Sequence, residues 1–543
     1  MVGIKMGKIK NISLLTLLAS LFLTSNVLAQ DQDLNAAQNL LLAAAEAMGG
    51  LDEINAVRTL QLYGYGQEAD GFGSGNVAGS PYAPQKWGAQ NDLQRIWDLD
   101  NDRFMIRQRG NLLFPFAGAR AHAYTLNRQV LDGDTAFRIA EDDSANLGGD
   151  VRELRMQSLS HPLAALRAAM AADASLSNVH VEDTVSVVDV RLAGGEEYSI
   201  GFEWKTGLPA FVAWSGPNHL LGEVRYTTQF TGYVPYSGIK LPLGMVTYMD
   251  WRDIEFFKIY GEGYIVNGEI PDLAAPRSLS ETQPGGRNSG PLQAENITGG
   301  LWRLSNGTVV IEFADHLTLF ELGGFGYDDE TLPQINLARS LVPGKPVTEY
   351  IASHQHDDHA SGLRTAVAEG LTVITHRNNE EIFREIASRP APNFPDMLHR
   401  NPRPISIIEV GDRMRLQDEE RTVDLYHVVA HNHMAGALMA YLPDENILIE
   451  ADLTPSRELQ WWADAYEQNI KLYDLHPEII VSVHFGRMSH TEMLEFLAPG
   501  RIGGQERCVA QAELDHFVAG CPPFYPEGNL IPGMIEFFDP PFE

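Results

Sequence analysis

Glu349-Tyr350-Ile351-Ala352-Ser353-His354-Gln355-His356-Asp357-Asp358-His359 decides how the second half of this chain folds. Glu349 to Ser353 reads as an apolar strand, and Ala360 to Glu369 reads as a helix stopped by Gly370. Four side chains able to bind a metal therefore crowd one strand-to-helix turn. Along an extended segment His354 and His356 point to the same side, so both imidazoles reach one ion. Asp358 and His359 follow where the chain turns, within reach of a second ion beside the first. Asp357 is expected to lie behind the site or face solvent.

Working outward, further donors stand at the ends of apolar strands. His433 precedes Met434-Ala435-Gly436 and a strand over Ala437 to Leu442. Pro443 to Asn446 makes a turn into the strand Ile447 to Glu450, which ends at Asp452. Ile479 to Val483 is an apolar strand ending at His484. His431 and His427 lie close to His433, but the spacing to Gly436 favours His433 as the donor. His316, His376 and His399 have no motif around them and are expected to be structural.

This series, over roughly residues 298 to 490, resembles the metallo-β-lactamase superfamily. The resemblance implies an αββα sandwich. It also implies a binuclear centre held by His354, His356, Asp358, His359, His433, Asp452 and His484, with Asp452 bridging the ions. Upstream, Leu317 to Glu321 and Gly323-Gly324 occupy the place of the family's early strand and turn. Glu321 stands where many members carry Asp, and Ala451 where Gly is common.

An imidazole-rich site with few carboxylates suits two Zn2+ ions, and iron or manganese use the same ligand types. The resemblance then implies a hydrolase whose nucleophile is a metal-bridging hydroxide, with Asp358 as the catalytic carboxylate. A bridging Asp at position 452 points to cleavage of a small ester, lactone, amide or related compound, with β-lactamase-like activity as an alternative. Two other readings stand beside it. One is an iron-dependent redox enzyme resembling persulfide dioxygenases on the same fold. The other is a ligand-binding protein with a structural metal site, although structural zinc sites are closed and usually four-coordinate. Trp461-Trp462 could line an apolar pocket or sit in a helix core.

The 543 residues exceed one ordinary core, so two domains are expected. With 44% hydrophobic and 21% charged residues, both can be globular. Lys5, Lys8 and Lys10, the apolar run Ile12 to Leu23 and Val27-Leu28-Ala29 form the pattern of a signal peptide over residues 1–29. Export to the periplasm or the extracellular space is the expectation. Cleavage after Ala29 would take the formal charge from −32 to −35, since three lysines and no acid are lost. Nucleic acids are bound by releasing counterions at Lys and Arg, so this surface disfavours them as partners and leaves a small-molecule substrate.

Residues 30–270 read as a mostly antiparallel β domain. A helix over Leu34 to Met48 is followed by short alternating segments such as Arg103 to Arg107, Val185 to Leu192 and Lys258 to Val266. The turn Met48-Gly49-Gly50-Leu51 before the first strand resembles exported lipoprotein-carrier-like β domains. Residues 271–297, rich in Pro, Gly, Ser and Asn, read as a linker, 298–500 as the α/β catalytic domain, and 501–543 as a tail. In an oxidising compartment the tail's Cys508 and Cys521 can form a disulfide.

Overall fold

The computed structural model describes residues 34–69, 85–112, 125–277, 279, 291–324, 327–429, 431, 434–454 and 464–497. The expected signal peptide, Cys508, Cys521, Trp461, Trp462 and His433 lie outside the described residues. Among the described residues no helix is long and apolar enough to cross a membrane.

Among the described residues the N-terminal half builds one antiparallel sheet of thirteen strands. Its first strand, Thr59–Ala69, pairs with Trp87–Asp98 on one side and with the last strand, Glu255–Val266, on the other. Successive hairpins then spread outward in both directions, to Ala145–Leu147 at one edge and Ser175–Glu182 at the other. The chain crosses between these edges through two helices, Val151–Leu159 and Pro162–Ala169. Asp150 caps the first by accepting from the Glu153 N–H, and Pro162 starts the second, where its missing N–H costs nothing. Together with the helix over 34–48 they bury Leu41, Met48, Met156, Leu163 and Leu166 against inward residues of the strands, Leu60, Leu62, Phe104, Val188 and Ile200 among them. Alternation along each strand supplies that apolar face.

The C-terminal half contains two more sheets. One runs through seven strands from Ala294–Thr298 to Ile407–Val410. Within it Leu317–Phe320, Val347–Ile351, Thr372–His376 and Ile407–Val410 lie parallel. The other has six strands, from Arg413–Gln417 to Gly486–Ser489, and contains one parallel pair, Ile447–Glu450 with Ile479–Ser482. Val309, Ile311, Phe320, Ile351 and Ile374 of the first sheet share a core with Leu425, Leu438, Ala440, Ile449 and Val481 of the second. Helices Asp328–Leu341, Leu363–Glu369 and Glu380–Ser388 cover the far side of the seven-stranded sheet. Asp464–Leu472 and His490–Leu497 cover the six-stranded one.

The stretch expected to link the halves is structured at both ends. Leu273 packs against Ile96, Val130 and Phe137 of the first sheet, and Ala294–Thr298 is already an edge strand of the second. The halves also share apolar surface directly: Leu220, Leu221, Val224, Met249 and Trp251 enter the core that holds Leu363, Ala366 and Phe383. Arg252 closes this contact with a two-pronged bond to Glu385, at 2.7 and 2.9 Å. Gly222, at φ 78°, lies so near the Arg364 guanidinium that a Cβ would stand 2.7 Å from its Cζ.

Candidate metal centre

Each donor sits just beyond the carboxyl end of a parallel strand. Glu321 follows Leu317–Phe320, His354 follows Val347–Ile351, Asp452 follows Ile447–Glu450 and His484 follows Ile479–Ser482. Open α/β sheets gather ligand-binding groups at such ends. The two sheets are tied there by a backbone bond from the Leu438 N–H to Ser353 O at 3.0 Å. The turn itself needs close backbone approach, since a Cβ on Gly323 would lie 1.9 Å from the Asp358 carbonyl oxygen. Glu321 and Asp452 hold left-handed backbones at φ 67° and 53°, and non-glycine residues in that region concentrate at functional sites.

His354, Asp358, His359, Asp452 and His484 converge. His359 Nε2 lies 3.3 Å from Asp452 Oδ1, 3.4 Å from Asp358 Oδ1 and 3.2 Å from His484 Nε2. His484 Nε2 lies 2.6 Å from Asp452 Oδ1, and His354 Nε2 3.5 Å from Asp452 Oδ2. His356 joins through Nδ1, 3.0 Å from His354 Nε2. Two overlapping sets of donor atoms result, His354 with His359 and Asp452, and Asp358 with His359 and His484. Three imidazoles and two carboxylates packed this closely could hold a metal ion.

The surroundings orient the rings. Glu321 accepts from His359 Nδ1 at 2.9 Å through one oxygen and from the Ser353 N–H at 2.9 Å through the other. Nδ1 being the protonated nitrogen, the His359 Nε2 lone pair is directed inward. Ser353 Oγ lies 2.8 Å from His354 Nδ1, which likewise leaves Nε2 facing the cluster. Neither Ser353 nor its hydroxyl bears a motif, and only its place before His354 marks it in the sequence.

Electrostatics match this arrangement. Burial pushes the His354 imidazole down to about 4, helped by its neighbour His359. Around His359 burial works in the same direction, but Asp358, Asp452 and Glu321 overcome it and hold its pKa well above the ordinary histidine value. Asp452 is held well below the usual carboxylate range: its burial opposes this, and His359 and His484 prevail.

The other histidines have distinct roles. His431 Nε2 bonds the Asp452 carbonyl at 2.9 Å, supporting that residue's backbone. His376 stacks on His427 at 4.0 Å, His316 pairs with Asp315 and Glu349, and the ring nitrogen of His399 accepts from the Ala391 N–H. Asp357 faces the N-terminal half, where His219 Nε2 is 3.7 Å from its Oδ2. Sequence reading did not single out His219. Glu450, buried and accepting from the Thr454 N–H and hydroxyl, was also missed; it fixes the loop that carries Asp452.

Residues 302–485 match the family model of the metallo-beta-lactamase superfamily. No curated protein matches the sequence. Among solved structures, the chain is similar to the DIM-1 metallo-beta-lactamase exposed to ceftazidime, with 12% identity, 38% of this chain and 96% of that one covered, and a TM-score of 0.30. A metallo-beta-lactamase from Pontibacter korlensis shows 15% identity, 39% and 99% coverage and a TM-score of 0.31. The stereoselective inverting sec-alkylsulfatase Pisa1 from Pseudomonas sp. shows 15% identity, 41% and 42% coverage and a TM-score of 0.29.

Proposed function

We propose that this chain is an exported, binuclear zinc hydrolase that cleaves a small ester, lactone, amide or related compound in an αββα domain. The observation that carries this reading is the convergence of His354, Asp358, His359, Asp452 and His484 from three strand ends, with side-chain atoms 2.6 to 3.5 Å apart. Groups of this kind, brought together from distant sequence at such desolvation cost, are characteristic of functional sites. His354, His356 and His433 would hold one ion, Asp358, His359 and His484 the other, with Asp452 between them. When bound, the ions supply Lewis-acid polarisation and a water acidified to a pKa near ~7.

This chain's own residues supply position and proton handling. Glu321 and Ser353 lock the ring orientations of His359 and His354. Asp358 lies 3.4 Å from His359 Nε2 and 3.8 Å from His484 Nε2, and the neighbouring imidazoles hold its carboxyl below the ordinary value against the effect of burial. It stays ionised near neutral pH, able to orient a water and to pass a proton to the departing group.

Zinc-loaded protein should be assayed against carboxylic esters, lactones, amides, β-lactams and phosphodiesters, with and without chelator. Cleavage of a carboxylic ester, lactone or amide that disappears with chelator and in Asp358→Ala is expected. Cleavage indifferent to both, or none in any class, contradicts the reading.

A further inference from the structure

Between the first sheet and the helix Val151–Leu159 lies a cavity of about 430 Å3, a size typical of small-molecule sites. Its lining runs from Trp97 and His161 at one end to His219 and Tyr327 at the other. The second end is next to the metal-binding turn: His219 Nε2 is 3.7 Å from Asp357 Oδ2, and Asp357 lies between the donors His356 and Asp358. Tyr327 meets the His219 ring edge-on and precedes the helix that follows Gly323-Gly324.

The walls are of two kinds. Trp97, Trp214, Tyr226 and Phe256 offer ring faces, whereas Gln108, Asn127, Gln129 and Gln157 offer amides that both donate and accept. Charge is mixed, with the guanidiniums of Arg95 and Arg152 set against the carboxyls of Glu68, Asp150 and Glu153. Burial pushes the carboxyls of Glu68 and Glu153 up.

His161 adds a specific group. It is 1% exposed, and its Nε2 lies 3.2 Å from the Tyr264 hydroxyl. That hydroxyl donates to Pro242 O at 2.6 Å, so its oxygen must accept from His161 Nε2–H. Nδ1 is then a bare acceptor, and among the described residues it has no hydrogen-bond partner. A buried acceptor left without a donor costs roughly 1–3 kcal/mol. A ligand hydroxyl would satisfy amides such as those of Asn127 and Gln129, which need both a donor and an acceptor opposite them.

We propose that the cavity binds a neutral ring compound bearing several hydroxyl groups, and that, on the hydrolase reading, it holds the non-reacting part of the substrate while the scissile group extends past His219 to the metal centre. A probe of this chemistry is phenyl β-D-glucopyranoside, with decanoate as the aliphatic contrast. Titration calorimetry on the zinc-loaded full chain should show saturable binding of the glycoside, weakened at least tenfold in His161→Phe and in Asn127→Trp, and kept in Asp358→Ala. Circular dichroism verifies that the variants are folded. The 6-O-acetyl ester of the glycoside should be cleaved with a KM at least tenfold below that of ethyl acetate, an advantage lost in both cavity variants.

Absent or variant-independent glycoside binding overturns the proposal, as does decanoate binding that the two cavity variants abolish. Simple ester cleavage without glycoside binding would sink the cavity and leave the hydrolase reading standing. Glycoside binding without any metal-dependent cleavage would sink the hydrolase reading and the substrate role together, leaving a ligand site.

Discussion

The two halves of this molecule bury polar groups in opposite ways. At the strand ends of the C-terminal half, imidazoles face carboxylates, and His359, Asp452 and His484 lie 2.6 to 3.3 Å apart. In the N-terminal half the buried groups are spread along a cavity wall, and His161 keeps an acceptor unmatched. The first pattern is a charge cluster that cations can replace, and the second is a lining that a neutral molecule can complete. Removing a group should therefore cost chemistry in one half and chiefly recognition or stability in the other.

The largest expected break in that contrast is Asp452→Ala. Losing the carboxylate shared by His354, His359 and His484 should lower metal-dependent turnover at least ~100-fold, since even residues that only support a metal ligand are worth about 10 to 100-fold. The far-ultraviolet circular dichroism of the thirteen-stranded sheet should be unchanged. Metal removal sharpens the comparison next. Ions at about 100 times their dissociation constant stabilise the folded state by ~2.7 kcal/mol. Chelator should therefore lower the melting transition followed by hydrogen exchange in Val347–Ile351 and Ile447–Glu450, with little effect on Thr59–Ala69.

Glu321→Gln is expected to weaken metal affinity by about 10 to 100-fold, because the acceptor that holds His359 Nδ1–H loses its charge. Competition with a chromophoric chelator reads this directly. An affinity equal to that of the unaltered protein would mean that Glu321 does not orient the ring.

The smallest effect belongs to the N-terminal half. Burial depresses the His161 pKa from 6.5 to about 3, so the unfolded chain takes up this proton first as pH falls. The stability His161 contributes is complete above pH 6.5 and is lost progressively toward pH 3. At pH 5 the loss is ~2 kcal/mol. Urea midpoints measured from pH 7 to 5 should fall less steeply in His161→Phe than in the unaltered protein.

The same contrast explains what could be read from sequence. Ile447–Glu450 was legible to the residue, and Gly370 does end its helix, at φ 83°. The converging side chains were legible because they stand at or shortly beyond the ends of apolar strands, so a local pattern carries both strand and candidate ligand. His433 lies outside the described residues, and its assignment rests on spacing to Gly436. In the N-terminal half alternation disclosed single strands, but not that thirteen join in one sheet, since Thr59–Ala69 pairs with Glu255–Val266 across nearly two hundred residues. Nor could the cavity be seen. Trp97, Gln108, His161 and Tyr226 come from four separate elements, and no spacing relates them.

Metal content measured by inductively coupled plasma mass spectrometry on zinc-loaded, dialysed protein tests the central claim most directly. Two equivalents per chain are expected, falling to one or fewer in Asp452→Ala and in His484→Ala. Content near background, or a stoichiometry that neither substitution changes, would contradict a binuclear centre at these strand ends.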